Sequence, residues 1–266
     1  MLNASKSLDL VASRTAIRDR LRASGFHFVC CLAIAALVLL LVYWGWYPPP
    51  LDRLSGLETI LVIMLGADVT LGPLITLIIY DRQKKYLKLD LAVIIAIQAT
   101  ALAYGLYTVY QGRPAHLVFA KDRFEVIAPA DITPEDRNLA RGNPAAEADP
   151  LRPKWVAAKP PTDVAERQKI LFESLRTGRD LQHHPRLYEP YQAHAVAAAA
   201  RGASLDQLRR LNPDKLPQVD ALPRELGVAA DMLRFLPLKG PAGDAAVIIR
   251  ADTGEVLRIV PLRPWS

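Results

Sequence analysis

Few residues of this 266-residue chain have types and spacings that could do chemistry. Asp68 stands in the middle of an otherwise apolar run, 57–80, where a lone carboxylate costs several kcal/mol unless it is paired or protonated. Asp68, Gly72 and Thr76 follow at i, i+4 and i+8 and share one helical face, and Pro73 between them removes a backbone hydrogen bond. Three readings stay open. The carboxyl ties this helix to the next one, where Thr100 and Tyr104 lie at matching depth and Gln98 nearer the cytoplasm. Alternatively it contacts another protein's membrane helix, with small residues permitting close approach, or it marks a proton or ion path. Elsewhere, His183, His184 and His194 lack the tight ligand spacing of a zinc site and read as surface histidines. Asp122, Arg123 and Glu125 read as surface ion pairs. The chain has no G-x-S-x-G, H-E-x-x-H, P-loop or dinucleotide fingerprint. Both cysteines, Cys30 and Cys31, are adjacent inside an apolar run and read as small apolar filling. The expectation is a protein without enzymatic activity, metal, cofactor or small-molecule substrate.

Three apolar runs, 28–47, 57–80 and 91–110, must position Asp68. Each reaches the roughly 20 residues that cross about 30 Å of hydrocarbon. The fold class expected is a membrane α-helical bundle of three transmembrane helices followed by an α+β domain at 111–266. Lys6, Arg14, Arg18, Arg20 and Arg22 precede the first run. Arg82, Lys84, Lys85 and Lys88 lie between the second and third. The connection PPPLDRLSG carries Arg53 alone and reads as a tight outer turn. Lys/Arg-rich short loops stay cytoplasmic, which places the N-terminus inside and everything after Tyr110 outside. Tyr43, Trp44, Trp46 and Tyr47, with Tyr107 and Tyr110, fit an interfacial aromatic belt. The polar tail 1–27 can form a short amphipathic helix with Leu10, Ile17 and Leu21 on one side, suited to anionic lipid, or remain a solvated tail. The first run is too long, and ends too bulkily, for a cleaved signal.

The net charge of +6 does not indicate nucleic-acid binding. Much of the excess lies in the tail and the inner loop, and the outer domain is nearly balanced. That domain lacks cysteine and folds without disulfides. Strands are expected at 116–120 and 123–128 and again at 245–250 and 255–261, the last two flanking the turn 251–254. Thr133 caps one helix, with Pro134 in its first turn. Thr162 caps a second, 162–177, with Val164, Ile170, Leu171 and Leu175 as its apolar side. The Ala-rich stretch 191–200 is a helix ended by Gly202, and Ser204 caps another at 205–211. The segment 141–154 reads as a loop. The two hairpins could share one sheet.

The tracts GADVTLGPLITLIIYDR (66–82), GRPAHLVFAKDRFEV (112–126), RLYEPY (186–191), FLPLKG (235–240) and DAAVIIRADTGEVLRIVPLRPW (244–265) together resemble the TfpX/TfpZ family of type IV pilin accessory proteins. The resemblance implies a non-enzymatic bacterial inner-membrane protein with a periplasmic domain. It implies a chaperone-like role in stabilising a cognate type IV major pilin and supporting its assembly. A pilin waiting in the membrane is a single helix with a glutamate near its start and a globular head outside. The face Asp68, Thr70, Gly72, Pro73 and Thr76 is the expected contact for that helix. Two carboxylates could pair only by sharing a proton, so Asp68 suits a hydroxyl or amine better than that glutamate. The alternative is a membrane-bound sensor or transporter-like subunit with Asp68 as an intramembrane site. It requires ionisable partners in the other two helices, where the sequence offers Gln98.

Overall fold

A computed structural model describes residues 2–265, with side chains from residue 17 onward. Helix α1 runs unbroken over Leu2–Leu41 and ends in a π-helical turn, Val42–Trp46. The tail and the first apolar run form one continuous helix, because the basic segment holds good helix formers and no proline, and the helix continues through the polarity change. Leu10 of the expected amphipathic face lies outside the described side chains; Ile17 and Leu21 are exposed. A four-residue turn of helix, α2 (Leu51–Leu54), follows. Two further long helices are α3 (Leu57–Ile79) and α4 (Leu87–Gln111). Three stretches are long and apolar enough to cross a membrane, Ile17–Trp46, Leu57–Ile79 and Leu87–Gln111. Among the described residues the chain thus has three candidate membrane spans, followed by a mixed α/β sheet domain.

The chain forms two compact units, Met1–Val42 with Glu58–Tyr110, and Tyr43–Leu57 with Gln111–Ser266. In the first, α1 turns Cys31, Ala35 and Val38 inward at spacings of 4 and 3 residues, and α3 turns in Leu61, Leu65, Gly72 and Thr76. These spacings keep one stripe of each helix against its neighbours. Gly105 of α4 leaves room for the Met64 side chain, which a Cβ there would meet at 2.3 Å.

The second unit is built on an eight-stranded mixed sheet. Its strands are β1 (His116–Ala120), β2 (Arg123–Ile127), β3 (Lys154–Ala158), β4 (Tyr188–Pro190), β5 (Ala203–Ser204), β6 (Leu233–Lys239), β7 (Asp244–Arg250) and β8 (Val256–Val260). The order is β4-β3-β1-β2-β6-β7-β8, with β5 pairing β6. The early hairpin (β1–β2) and late hairpin (β7–β8) do share this sheet, joined by the parallel pairing of β2 with β6. Helices α5 (Pro134–Leu139), α6 (Val164–Thr177), α7 (Ala195–Ala199), α8 (Leu205–Leu211) and α9 (Leu216–Leu226) complete it. Alternation along the strands divides two apolar layers. Leu117, Phe119, Val247 and Ile249 face one side; Val118, Ala246 and Ile248 face the other. Both layers are covered, so β1 and β7 bury nearly every side chain, as strands sandwiched between two layers do.

Several expectations change here. The connection between the first two spans is not a free turn. Leu51 and Leu54 of α2 are buried in the layer with Phe119, Phe124, Tyr191, Leu236 and Val247. The backbone of that segment is latched where Ala242 N–H donates to the Leu54 carbonyl at 2.8 Å. Apolar Leu51 and Leu54 find more burial on the sheet than in water. Tyr47, expected in an aromatic belt, is buried in the protein, whereas Trp44 is 82% exposed. Asp163 rather than Thr162 caps α6, accepting from Ala165 N and Glu166 N. The 191–200 helix begins as a 3-10 turn, Tyr191–His194, and becomes α7 only at Ala195. Strand β3 and helix α9 went unrecognised in the sequence. The caps at Thr133 and Ser204 stand as expected.

Candidate functional site

The intramembrane acid sits inside the first unit and is paired. Gln98 Nε2 of α4 donates to Asp68 Oδ1 and to the Asp68 carbonyl, each at 3.1 Å. The bond between the second and third spans is therefore present, but its partner is Gln98, not Thr100 or Tyr104. Thr100 Oγ1 donates to the Ala96 carbonyl within its own helix, and Tyr104 is exposed. Depth alone misled the reading. Gln98 shares a face with the inward residues Ile94, Leu102 and Gly105, whereas Thr100 lies two residues on, about 200° around the helix.

The other expected residues divide by face. Gly72 makes room for the Gln98 amide, since a Cβ at Gly72 would lie 2.1 Å from Gln98 Nε2. Pro73 is buried, and its carbonyl accepts from Ser24 Oγ of α1 at 2.8 Å. Thr76 is 2% exposed, with its Oγ1 2.7 Å from His27 Nδ1. Thr70 is on the opposite side, exposed, and donates back to the Gly66 carbonyl, so it does not belong with the other four. Ser24 and His27 were missed because they precede the apolar run. Their signal was the spacing of Ser24, His27 and Cys31 along one unbroken helix.

Beside this polar seam opens a groove of about 480 Å³. Phe26, Ile34, Leu91 and Ile95 give it apolar walls, and His27, Asp68, Thr76 and Gln98 supply its polar groups. Gln98 Oε1 is buried and has no hydrogen-bond partner among the described residues. Among the described lining residues His27 supplies the imidazole. Chemically the groove can seat an apolar helix or chain and satisfy one or two hydrogen-bonding groups on it.

The candidates in the sheet domain are structural by their surroundings. His184 is buried, not at the surface as expected, and its Nδ1 lies 2.9 Å from Asp136 Oδ1. Asp136 also accepts from Thr133 Oγ1 and from Arg179, each at 2.7 Å. Burial pushes the Asp136 carboxyl up, but its hydrogen bonds to Thr133 and His184 and the Arg179 charge outweigh it, leaving the carboxyl below the usual range. His194 Nε2 pairs with Glu189 at 2.7 Å. Asp122 and Arg123 do pair at 2.9 Å, but Glu125 is half-buried and accepts from Gln182. Burial raises its carboxyl above the ordinary value, against the charges of Lys239 and Arg123. Among the described residues no group of three or more His, Cys, Asp or Glu is placed to hold a metal ion.

Known proteins resemble this chain over most of its length. A family model described as fimbrial assembly protein FimB matches residues 15–56, which cover most of α1 and the segment that docks on the sheet. A fimbrial assembly protein of serogroup I from Dichelobacter nodosus is 30% identical over 220 residues, covering 82% of this chain and 85% of that protein. The serogroup E1 protein of the same organism is 27% identical over the same shares. The protein of serogroups C1 and C2 is 36% identical over 113 residues, or 42% of this chain and 86% of that protein. No solved structure matches. With that identity sustained across both compact units, the chain belongs to the fimbrial assembly protein family.

Proposed function

We propose that this protein is a non-enzymatic inner-membrane accessory factor that holds a type IV major pilin in the bilayer before assembly, in the manner of the TfpX/TfpZ chaperones. The groove beside α1 and α4 carries the reading. It has the apolar walls that a single membrane helix requires, with His27, Asp68, Thr76 and Gln98 among its lining residues. Gln98 Oε1 is an acceptor in want of a donor, and an unsatisfied buried acceptor costs about 1–3 kcal/mol. A hydroxyl or amine on the incoming helix would recover that cost only where the Gln98 side chain turns its Oε1 toward the groove. The carboxyl near the start of a pilin helix would find a hydrogen-bond donor in the His27 imidazole rather than in Asp68, which would repel a second carboxylate. The basic tail and the loop bearing Arg82, Lys84, Lys85 and Lys88 favour a cytoplasmic N-terminus and a periplasmic sheet domain.

Photo-crosslinking in cells tests the proposal. A photoreactive residue replaces Ala99, an exposed residue lining the groove, and a second replaces Thr70 on the opposite face of α3. The expected outcome is capture of the pilin from position 99 and not from position 70, with Asp68→Leu lowering pilin level and piliation at unchanged abundance of the protein. Capture of some other membrane complex from position 99 would put the sensor or transporter-like subunit first. Absence of pilin at position 99, with the protein at normal abundance, would refute the pilin reading.

A further inference from the structure

Helix α6 is turned inside out relative to its sequence pattern. Val164, Leu171 and Leu175 read as an inward apolar side together with Ile170. In the structure Ile170 alone of these is buried, while Val164, Leu171, Phe172 and Leu175 are 56, 53, 67 and 77% exposed. At 100° per residue those four fall in one stripe about 100° wide, interrupted by one exposed polar residue, Gln168. The side that meets the domain is mostly polar. Glu166 pairs with Arg186 at 2.6 Å, and Glu173 lies 3.5 Å from Arg179. Both acids inside the helix are thereby drawn toward the domain. Lys169 and Arg176 lie one turn before and one turn after Phe172, about 40–60° to its side, exposed, and neither has an ion pair among the described residues. The outward surface is thus a large apolar stripe with cations along its border and its acids held on the far side.

We infer that α6 is an interfacial helix that lies in the headgroup region of an anionic bilayer. An exposed apolar stripe of this size on a small helix needs an occupant. Apolar residues on one side with Lys and Arg at the border are the pattern of helices that rest in the membrane surface. The charges complement anionic phospholipid. The chain supplies the proximity. Four residues of chain, 112–115, separate α4, a candidate membrane span, from β1, a reach of at most about 14 Å, so the sheet domain is tethered to the bilayer by a short segment. This inference does not depend on the groove or on the pilin.

The test uses the full chain in nanodiscs, with Cys30 and Cys31 replaced by alanine and a nitroxide attached at Phe172→Cys or, as a control, at Gln207→Cys on the exposed side of α8. Accessibility to oxygen and to a water-soluble nickel chelate is measured in discs of phosphatidylcholine alone and with phosphatidylglycerol added. The expected result is a Phe172 label rich in oxygen contact and shielded from nickel in the anionic discs, with the Gln207 label open to nickel in both. Each cation contributes about fivefold to partitioning at an anionic surface. Lys169→Gln with Arg176→Gln should therefore lower the docked-to-undocked ratio by about 30-fold, at unchanged circular dichroism. A Phe172 label as open to nickel as the control would overturn the inference. So would shielding that is indifferent to lipid and accompanied by spin–spin broadening, which would assign the stripe to a second copy of the chain.

Discussion

Replacing Leu51 by alanine should destabilise the sheet domain as though a core residue had been lost, although Leu51 lies in a connection between two membrane helices. Leu51 is 2% exposed and packs among Phe119, Phe124, Tyr191 and Leu236. Leu→Ala in a core costs about 2–5 kcal/mol, and the cost rises where the walls cannot close over the cavity. Here the walls are aromatic rings in mutual contact, Phe124 against Trp155 at 5.0 Å and against Tyr191 at 5.3 Å between centroids. The segment itself is held by the bond from Ala242 N–H to the Leu54 carbonyl at 2.8 Å. The loss should therefore fall in the upper half, about 3–5 kcal/mol. For a domain of this size each kcal/mol lowers Tm by about 2–4 °C, so the expected shift is about 6–20 °C. Thermal unfolding of the full chain in mild detergent, followed by near-ultraviolet circular dichroism, measures it. Arg53→Ala, at an exposed neighbour, should stay within about 0.5 kcal/mol of the parent. If Leu51→Ala and Arg53→Ala unfold together, the segment is a free turn and the reasoning fails.

Burial, with the charges of Lys154 and Arg113 adding to it, pushes the His116 imidazole down to about 4. Its unfolded value is about 6.5, so the stability it contributes is complete above that pH and is lost as pH falls toward 4. The loss is roughly 3 kcal/mol by pH 4.5. His116→Gln should flatten the dependence of the urea midpoint between pH 7 and 4.5, and an unchanged slope would remove His116 as its source. Gly254 stands at φ +71°, and a Cβ there would lie 1.8 Å from the Ala195 carbonyl oxygen. Gly254→Ala should cost about 2–5 kcal/mol from left-handed strain plus the clash, read as a lower denaturation midpoint. In the membrane unit, a double-mutant cycle of Asp68→Ala and Gln98→Ala, measured by denaturant titration in micelles, should give a coupling of about 0.6–2 kcal/mol. Additive effects would dissolve the pair.

What could be seen without a structure was what chain neighbours settle among themselves. The three spans show because each is a run whose partner is lipid. The hairpin β1–β2 and the β7–β8 hairpin show because a tight turn lies between two apolar strands. Thr133 and Ser204 show because a cap needs only the next three residues. Strand β3 did not show. Its sequence KWVAA has little alternation, and its place is fixed by parallel pairing with β1 across more than thirty residues of chain. In the same way Asp68 was visible as an oddity, but Gln98 became its partner through the rotational phase of α4, which depth cannot supply.

The sequence by itself determined that there are three helices long and apolar enough to cross a membrane, that an acid lies within the second, and that an α+β domain without cysteine follows. Hydrophobic runs, turns and caps are local quantities, and local quantities can be read in order along a chain. Tertiary structure decided which side of each helix is inside. It set Gly72 and Thr76 in the polar seam and left Thr70 outside, and it turned the apolar stripe of α6 outward. It also buried Leu51 and Leu54 of the connection between the first two long helices against the sheet. Burial is a property of what arrives on the other side of a side chain, and that is set by segments far away in sequence.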